Sequence, residues 1–201
     1  MKIAVFVSGR GSNLNAILNY PDLENLLEVA AVVSDKTYCK AFEIANEFGI
    51  KSFKVGEGEG KINQNEITKV LKELGIDFIV LAGYLKLIPK ELVEYFENKI
   101  INIHPALLPS FGGKGMYGMN VHRAVFDSSA KVSGATVHFV DTTYDTGKII
   151  AQRCVDISDV KDPEEIAERV LKIEHQLLPE VLKTFAENRI KIESGRVVIK
   201  N

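Results

Sequence analysis

Short, uninterrupted apolar runs alternate with helix-period segments through the first half of the chain, and this alternation narrows the fold more than any other feature. The runs are Ile3–Val7, Glu28–Val33, Asp77–Leu81 and Lys99–Ile103. Between them lie Ser12–Tyr20, Cys39–Phe48, Asn65–Leu74 and Pro89–Phe96, which carry apolar residues at helical spacing, with Pro89 suited to a first helical position. A strand that is apolar at successive positions has to be covered on both faces, which a parallel sheet flanked by helices provides. The pattern therefore predicts an α/β, doubly wound, mostly parallel sheet with ligands at the carboxyl ends of its strands.

The second half has a different grammar. A glycine-rich stretch from Phe111 to Gly118 precedes a short helix, Val121–Asp127, and two longer strand candidates, Val132–Val140 and Ile149–Ile157, read as antiparallel additions to the sheet. From Asp162, a suitable N-cap, the pattern is helical to about Asn188, and a hairpin-like tail surrounds Glu193-Ser194-Gly195-Arg196. No repeat or linker interrupts the 201 residues, so one domain spanning 1–201 is expected, with a nucleotide-binding-like half at 1–100 and a catalytic half at 101–201.

Composition excludes several function classes. The 25 Lys and Arg are scattered among 27 Asp and Glu, for a formal net charge of -2, which lacks the basic footprint of a nucleic-acid partner. No stretch approaches the roughly 18 apolar residues of a membrane span. Met1–Val7 is too short for a signal segment and runs directly into a glycine turn. The two cysteines, Cys39 and Cys154, stand far apart and outside any CxxC arrangement, which fits a reducing, cytoplasmic setting.

The first strand ends in Gly9-Arg10-Gly11-Ser12-Asn13-Leu14. Main-chain N–H groups of residues 11 to 13 then open a helix, which suits an anion; the alternative is a plain turn with Ser12 or Asn13 capping that helix. A dinucleotide site with Asp35 as the ribose ligand is disfavoured because Leu14 occupies the third glycine position. In Ile100-Ile101-Asn102-Ile103-His104-Pro105, the side chains of Asn102 and His104 lie two residues apart, so both project from one face of a strand at its carboxyl end. Spending two positions of a buried strand on polar groups costs a few kcal/mol unless they are partnered or used.

Directly downstream come Pro105-Ala106-Leu107-Leu108-Pro109-Ser110-Phe111 and, further on, Gly134-Ala135-Thr136-Val137-His138-Phe139-Val140 with Asp141 to Gly147 after it. With the Ser-Gly-Arg-Gly-Ser-Asn opening and the Glu174-His175 pair, these motifs make the chain resemble the folate-dependent formyltransferases over nearly its full length. Within that family the match is to the glycinamide ribonucleotide formyltransferases of purine synthesis. The resemblance implies a Rossmann-like formyltransferase fold. It also implies transfer of the formyl group of 10-formyltetrahydrofolate, as co-substrate, to the primary amine of glycinamide ribonucleotide.

By the same resemblance, Asn102, His104 and Asp145 match the catalytic residues. Gly11, Ser12 and Asn13 match the site for the substrate phosphate, and Glu174 the site for its ribose. Leu85, Lys86, Leu87, Ile88, Asn102 and Asp141 match the folate site. The chemistry suits these residue types: a tetrahedral carbon bearing an oxyanion needs positioned donors, which the Asn102 amide and a His104 imidazolium supply. An Asp145 carboxylate nearby is expected to raise the His104 pKa and to help carry a proton. The family pattern is altered at Thr142, Thr143 and Lys148, and the stretch from Gly56 to Asn63 holds Lys61 where relatives place an arginine.

No metal is expected, because His104, His122, His138 and His175 share no metal-ligand spacing. His138 and His175 read as structural, and His122 as a flank of the glycine loop. Two related activities, methionyl-tRNA formyltransfer and formyltetrahydrofolate deformylation, belong to longer chains, so length favours the small-molecule transferase. A homodimer is left open.

Overall fold

The computed structural model describes residues 1–200, and the chain divides into two compact units, Met1–Asn102 and Ile103–Asn201. The first holds strands β1 (Lys2–Val7), β2 (Glu28–Ser34), β3 (Lys51–Lys54), β4 (Phe78–Leu81) and the start of β5 (Ile100–His104). Helices α1 (Ser12–Leu18), α2 (Lys40–Glu47), α3 (Ile67–Glu73) and α4 (Lys90–Tyr95) connect them. The strand order is β3-β2-β1-β4-β5, all parallel.

That order follows from the residues. Ile3, Ala4, Val5, Phe6 and Val7 are at most 1% exposed, so β1 has to sit in the centre with a neighbour on each side. From β1 the chain steps outward through β2 to β3, then returns to lay β4 and β5 on the other side. Right-handed crossovers put helices of opposite steps on opposite faces, and the reversal leaves a switch point between the carboxyl ends of β1 and β4. Two loops leave the sheet there: Ser8–Gly11 after β1, and Ala82–Pro89 after β4.

The elements agree with the sequence reading within a residue or two, apart from two corrections. Pro89 is the N-cap of α4 and not its first helical residue. The sequence also gave no sign of β3, because Lys51-Ser52-Phe53-Lys54 is an exposed edge strand with no apolar run.

The second unit contains α5 (Met119–Asp127), the antiparallel pair β6 (Val132–Phe139) and β7 (Ile149–Asp156), the long helix α6 (Pro163–Ala186) and the hairpin β8 (Ile190–Glu193) with β9 (Arg196–Ile199). α6 starts where expected: the Asp162 side chain accepts a hydrogen bond from the Glu165 N–H at 2.9 Å, and Pro163 occupies the first helical position. Its buried face, including Ile166, Val170, Leu178 and Leu182, packs against β6 and β7. Phe139 and Phe185 meet edge to face at 5.8 Å. The tail is a tight hairpin because Ser194 and Gly195 both take positive φ, the geometry of a two-residue turn that matches strand twist.

Gly134 sits where β6 and β7 approach most closely. A Cβ there would fall onto the Arg153 carbonyl oxygen and the Cys154 Cα, both main chain and neither free to move aside. Gly134→Ala is therefore predicted to destabilise the protein by at least about 1–3 kcal/mol, the usual cost of overpacking. Urea unfolding midpoints check this, and a variant midpoint equal to wild type contradicts it.

Candidate active site

β5 carries Asn102 at the end of the first unit and His104 at the start of the second. Strand alternation turns both side chains to one face, with Asn102 half-buried and His104 only 3% exposed. The chain after His104 is fixed from β6 and β7. The buried Thr136 hydroxyl donates to the Ala106 carbonyl at 2.6 Å and accepts the Leu108 N–H at 3.1 Å. Gln152 donates to both the Leu108 carbonyl, at 2.8 Å, and the Thr136 hydroxyl, at 3.0 Å. Three bonds from two side chains, themselves joined by a fourth, thus hold Pro105–Pro109 without regular secondary structure, which a buried loop requires.

Asp145 arrives on the loop between β6 and β7. Asp141 organises that loop by accepting the Thr143 N–H at 2.8 Å and the Thr146 hydroxyl at 2.8 and 2.9 Å. Asp145 itself is left-handed, φ 57°, a conformation that Asp tolerates better than most residues. At Gly147 the loop passes so close to the Phe139 carbonyl that a side chain has no room. The Asp141–Gly147 segment is thus held by its own bonds, to which Thr143, a departure from the family pattern, contributes its main-chain N–H.

The Asp145 carboxylate, 11% exposed, lies between two imidazoles. His104 Nδ1 is 3.6 Å from Oδ2, and His138 Nε2 is 3.6 Å from Oδ1. The Gly113 N–H donates to Oδ2 at 2.8 Å. The outer nitrogen of each ring meets a main-chain carbonyl: His104 Nε2 at Phe111 O, 2.8 Å, and His138 Nδ1 at Phe139 O, 2.7 Å. A carbonyl only accepts, so His104 Nε2 carries a hydrogen and its Nδ1 faces the carboxylate, while His138 lies between two acceptors, Phe139 O and Asp145, and donates to the carboxylate through Nε2.

Burial pushes the His104 pKa down from the usual 6.5, and this outweighs the opposing pull of Asp145 and of the Phe111 carbonyl. The sequence expectation that Asp145 raises the His104 value is therefore right in the sign of that interaction and wrong in the net result. At neutral pH His104 is mainly the neutral imidazole. For Asp145, burial acts upward, but His138, the Gly113 N–H and the nearby His104 together hold the carboxyl below the usual carboxylate range. His122, buried on α5, is pushed down to about 4 by burial and then by His104.

The remaining expected residues lie in their own units. In the first, Gly11 is the left-handed N-cap of α1, and no side chain caps the helix. A Cβ on Gly11 would collide with Ala41 of α2, so only glycine fits. Leu85, Lys86 and Leu87 are exposed in the loop after β4, while Ile88 is buried. Asp35 accepts the Ser8 hydroxyl at 2.5 Å and pairs with Lys36 at 3.3 Å. In the second unit, Glu174 is buried on α6, at 8% exposed.

His138, read from sequence as a structural histidine within a strand, is buried in β6 and its Nε2 lies 3.6 Å from Asp145 Oδ1. The signal was present, because Thr136 and His138 alternate on one face of β6 and both serve the His104 neighbourhood. Gly113 and Phe111 act through main-chain atoms, which side-chain reasoning does not reveal. Among the described residues, no group of three His, Cys, Asp or Glu side chains is arranged to hold a metal ion.

A model of the formyl transferase family matches residues 1–182, and the chain belongs to that family. It is 46% identical over its whole length to a chloroplastic phosphoribosylglycinamide formyltransferase of Arabidopsis thaliana, covering 70% of that protein. It is 41% identical to the phosphoribosylglycinamide formyltransferase of Bacillus subtilis, across 90% of this chain and 93% of the relative. The crystal structure of phosphoribosylglycinamide formyltransferase from Anaplasma phagocytophilum superposes with a TM-score of 0.89 at 33% identity, covering 100% of this chain and 93% of the other. The doubly wound α/β fold is common to both.

Because Asp145 opposes the downward push on His104, Asp145→Asn is predicted to lower the His104 pKa further. The limb of the kcat/KM–pH profile governed by His104 then moves to lower pH, and an unmoved profile contradicts the coupling.

Proposed function

We propose that this chain transfers the formyl group of 10-formyltetrahydrofolate to the primary amine of glycinamide ribonucleotide, a step of de novo purine synthesis. The observation that carries the reading is the His104–Asp145–His138 cluster at the end of β5 in a formyl transferase chain. The phosphoribosylglycinamide formyltransferase relatives at 41 and 46% identity support the choice of acceptor.

In this reading the amine nitrogen attacks the formyl carbon, and the carbonyl electrons move onto oxygen. The tetrahedral adduct collapses by expelling N10 of the folate, and a proton passes from the amine to N10. The protein has to stabilise the oxyanion and manage that proton. The Asn102 amide donates to the oxyanion. His104 Nε2–H, held on the Phe111 carbonyl at 2.8 Å in the resting site, exchanges that carbonyl for the oxyanion. Asp145 stays ionised and balances any proton taken up by His104 Nδ1, so charge moves over 3.6 Å with no new group brought in.

Substrate contacts follow the family pattern. Gly11, Ser12 and Asn13 receive the phosphate on main-chain N–H groups at the start of α1, and Glu174 takes the ribose hydroxyls. Leu85–Ile88 and Asp141 border the folate, with the exposed apolar side chains of Leu85 and Leu87 available to pack on its rings. The reading includes cytoplasmic residence and leaves a homodimer open; no helix among the described residues is long and apolar enough to cross a membrane.

The test is turnover of purified protein with 10-formyltetrahydrofolate, with and without glycinamide ribonucleotide. Formyl transfer that depends on the amine is expected, with His104→Ala slower by roughly 10²-fold or more. Formate release without the amine points to hydrolysis instead, and wild-type turnover in His104→Ala removes the mechanism.

A further inference from the structure

The loop after β4 carries exposed apolar side chains, which water alone would not hold in place, yet its main chain is fastened at two points. At one end the Leu85 N–H donates to the Ser8 hydroxyl at 3.0 Å. That hydroxyl donates in turn to Asp35 Oδ1 at 2.5 Å, and the carboxylate, 7% exposed, is paired with Lys36 at 3.3 Å. The chain Leu85 N–H to Ser8 O–H to Asp35 runs in one direction, so each bond polarises the next. The Ser8 N–H also donates to the Gly83 carbonyl at 3.1 Å, which ties the end of β1 to the start of the loop. Tyr84 anchors the same corner: it is buried edge to face against Phe6, ring centres 5.3 Å apart.

At the other end the Gln64 side-chain amide donates to the Leu87 carbonyl at 2.9 Å. Gln64 is well placed for this because the chain on both sides of it is fixed. The Gly56 N–H meets the Ile62 carbonyl at 2.9 Å and the Ile62 N–H meets Lys54 at 2.8 Å, closing the glycine turn after β3. The Asn63 side chain then accepts the Asn65 N–H at 3.0 Å ahead of α3. Side chains from β1 and from the β3–α3 connection therefore hold residues 85 and 87, the two whose apolar side chains are exposed.

We propose that Ser8, backed by Asp35, and Gln64 are positioning residues for the formyl donor, acting through the main chain of Leu85–Leu87. The inference rests on the reading above in which Leu85–Ile88 lines the folate site. The two fasteners set the peptide planes and keep Leu85 and Leu87 turned outward, so the donor binds a surface already formed and orders no loop on arrival. Each fastener is separate in sequence from Asn102, His104 and Asp145, so its loss is felt in donor binding and not in the chemical step.

Steady-state kinetics with both substrates varied tests this. Ser8→Ala and Gln64→Leu are each expected to raise the KM for 10-formyltetrahydrofolate about tenfold, the scale of one lost hydrogen bond. The KM for glycinamide ribonucleotide and kcat stay within about twofold of wild type, as expected where only uniform donor binding is lost. Ser8→Thr keeps the hydroxyl and restores donor KM. Leu87→Asp, at an exposed position, reports separately on the folate reading and is expected to raise donor KM as well. If Leu87→Asp raises it while Ser8→Ala and Gln64→Leu do not, the positioning role is overturned and the folate reading stands. If Leu87→Asp leaves donor KM unchanged, the folate reading falls and the proposal with it. A rise in the amine substrate's KM equal to that of the donor in Ser8→Ala also overturns it, since Ser8 would then be acting on the Gly9–Gly11 loop.

Discussion

A single carboxylate organises the second unit's polar interior. Asp145 is largely buried, where an unpaired charge would cost several kcal/mol, and the Gly113 N–H, the His138 hydrogen bond and the nearby His104 together hold its carboxyl below the usual range. Much nearby backbone geometry serves that arrangement. The left-handed turn at Asp145 aims the side chain, the Asp141 bonds shape the loop, and Gly147 lets the loop pass over the end of β6. The outer nitrogen of each imidazole is occupied by a carbonyl, so neither ring is free to rotate its inner nitrogen away.

The cluster also explains why burial prevails over charge at His104. A carboxylate 3.6 Å away favours the imidazolium, but the ring is almost wholly removed from water, and His138, on the other side of that carboxylate, also works against a proton placed there. Burial therefore favours the neutral ring of His104, while the carboxylate beside it favours the cation. In the first unit a comparable economy holds the loops at the switch point. Ser8 joins the loop after β1 to the loop after β4 through its own N–H and hydroxyl, so the two loops leave the sheet in a fixed relation.

Periodicity made the central strands and all four helices of the first unit legible, because buried parallel strands leave continuous apolar runs. It missed β3, whose exposed edge needs no such run, and placed Pro89 one position too far into α4. The polar pair Asn102 and His104 stood out because a buried strand had spent two positions on them. Asp145 was legible only through family resemblance, since a loop aspartate has no periodic signature, and the approach of His138 to it was not legible because a histidine within a strand reads the same whether or not a carboxylate faces it. The net pKa direction at His104 was also beyond the sequence: it depends on how deeply the ring is buried, which no spacing of residues encodes.

The central claim is that His104 rests as a neutral imidazole carrying its hydrogen on Nε2, with Nδ1 turned to an ionised Asp145. Nitrogen-15 NMR of the histidine rings at pH 7 reads this directly, because protonated and unprotonated ring nitrogens have well-separated shifts. The account predicts a protonated-type Nε2 and an unprotonated-type Nδ1 for His104, assigned by loss of its signals in His104→Ala. An imidazolium at pH 7, or the hydrogen on Nδ1, would contradict it.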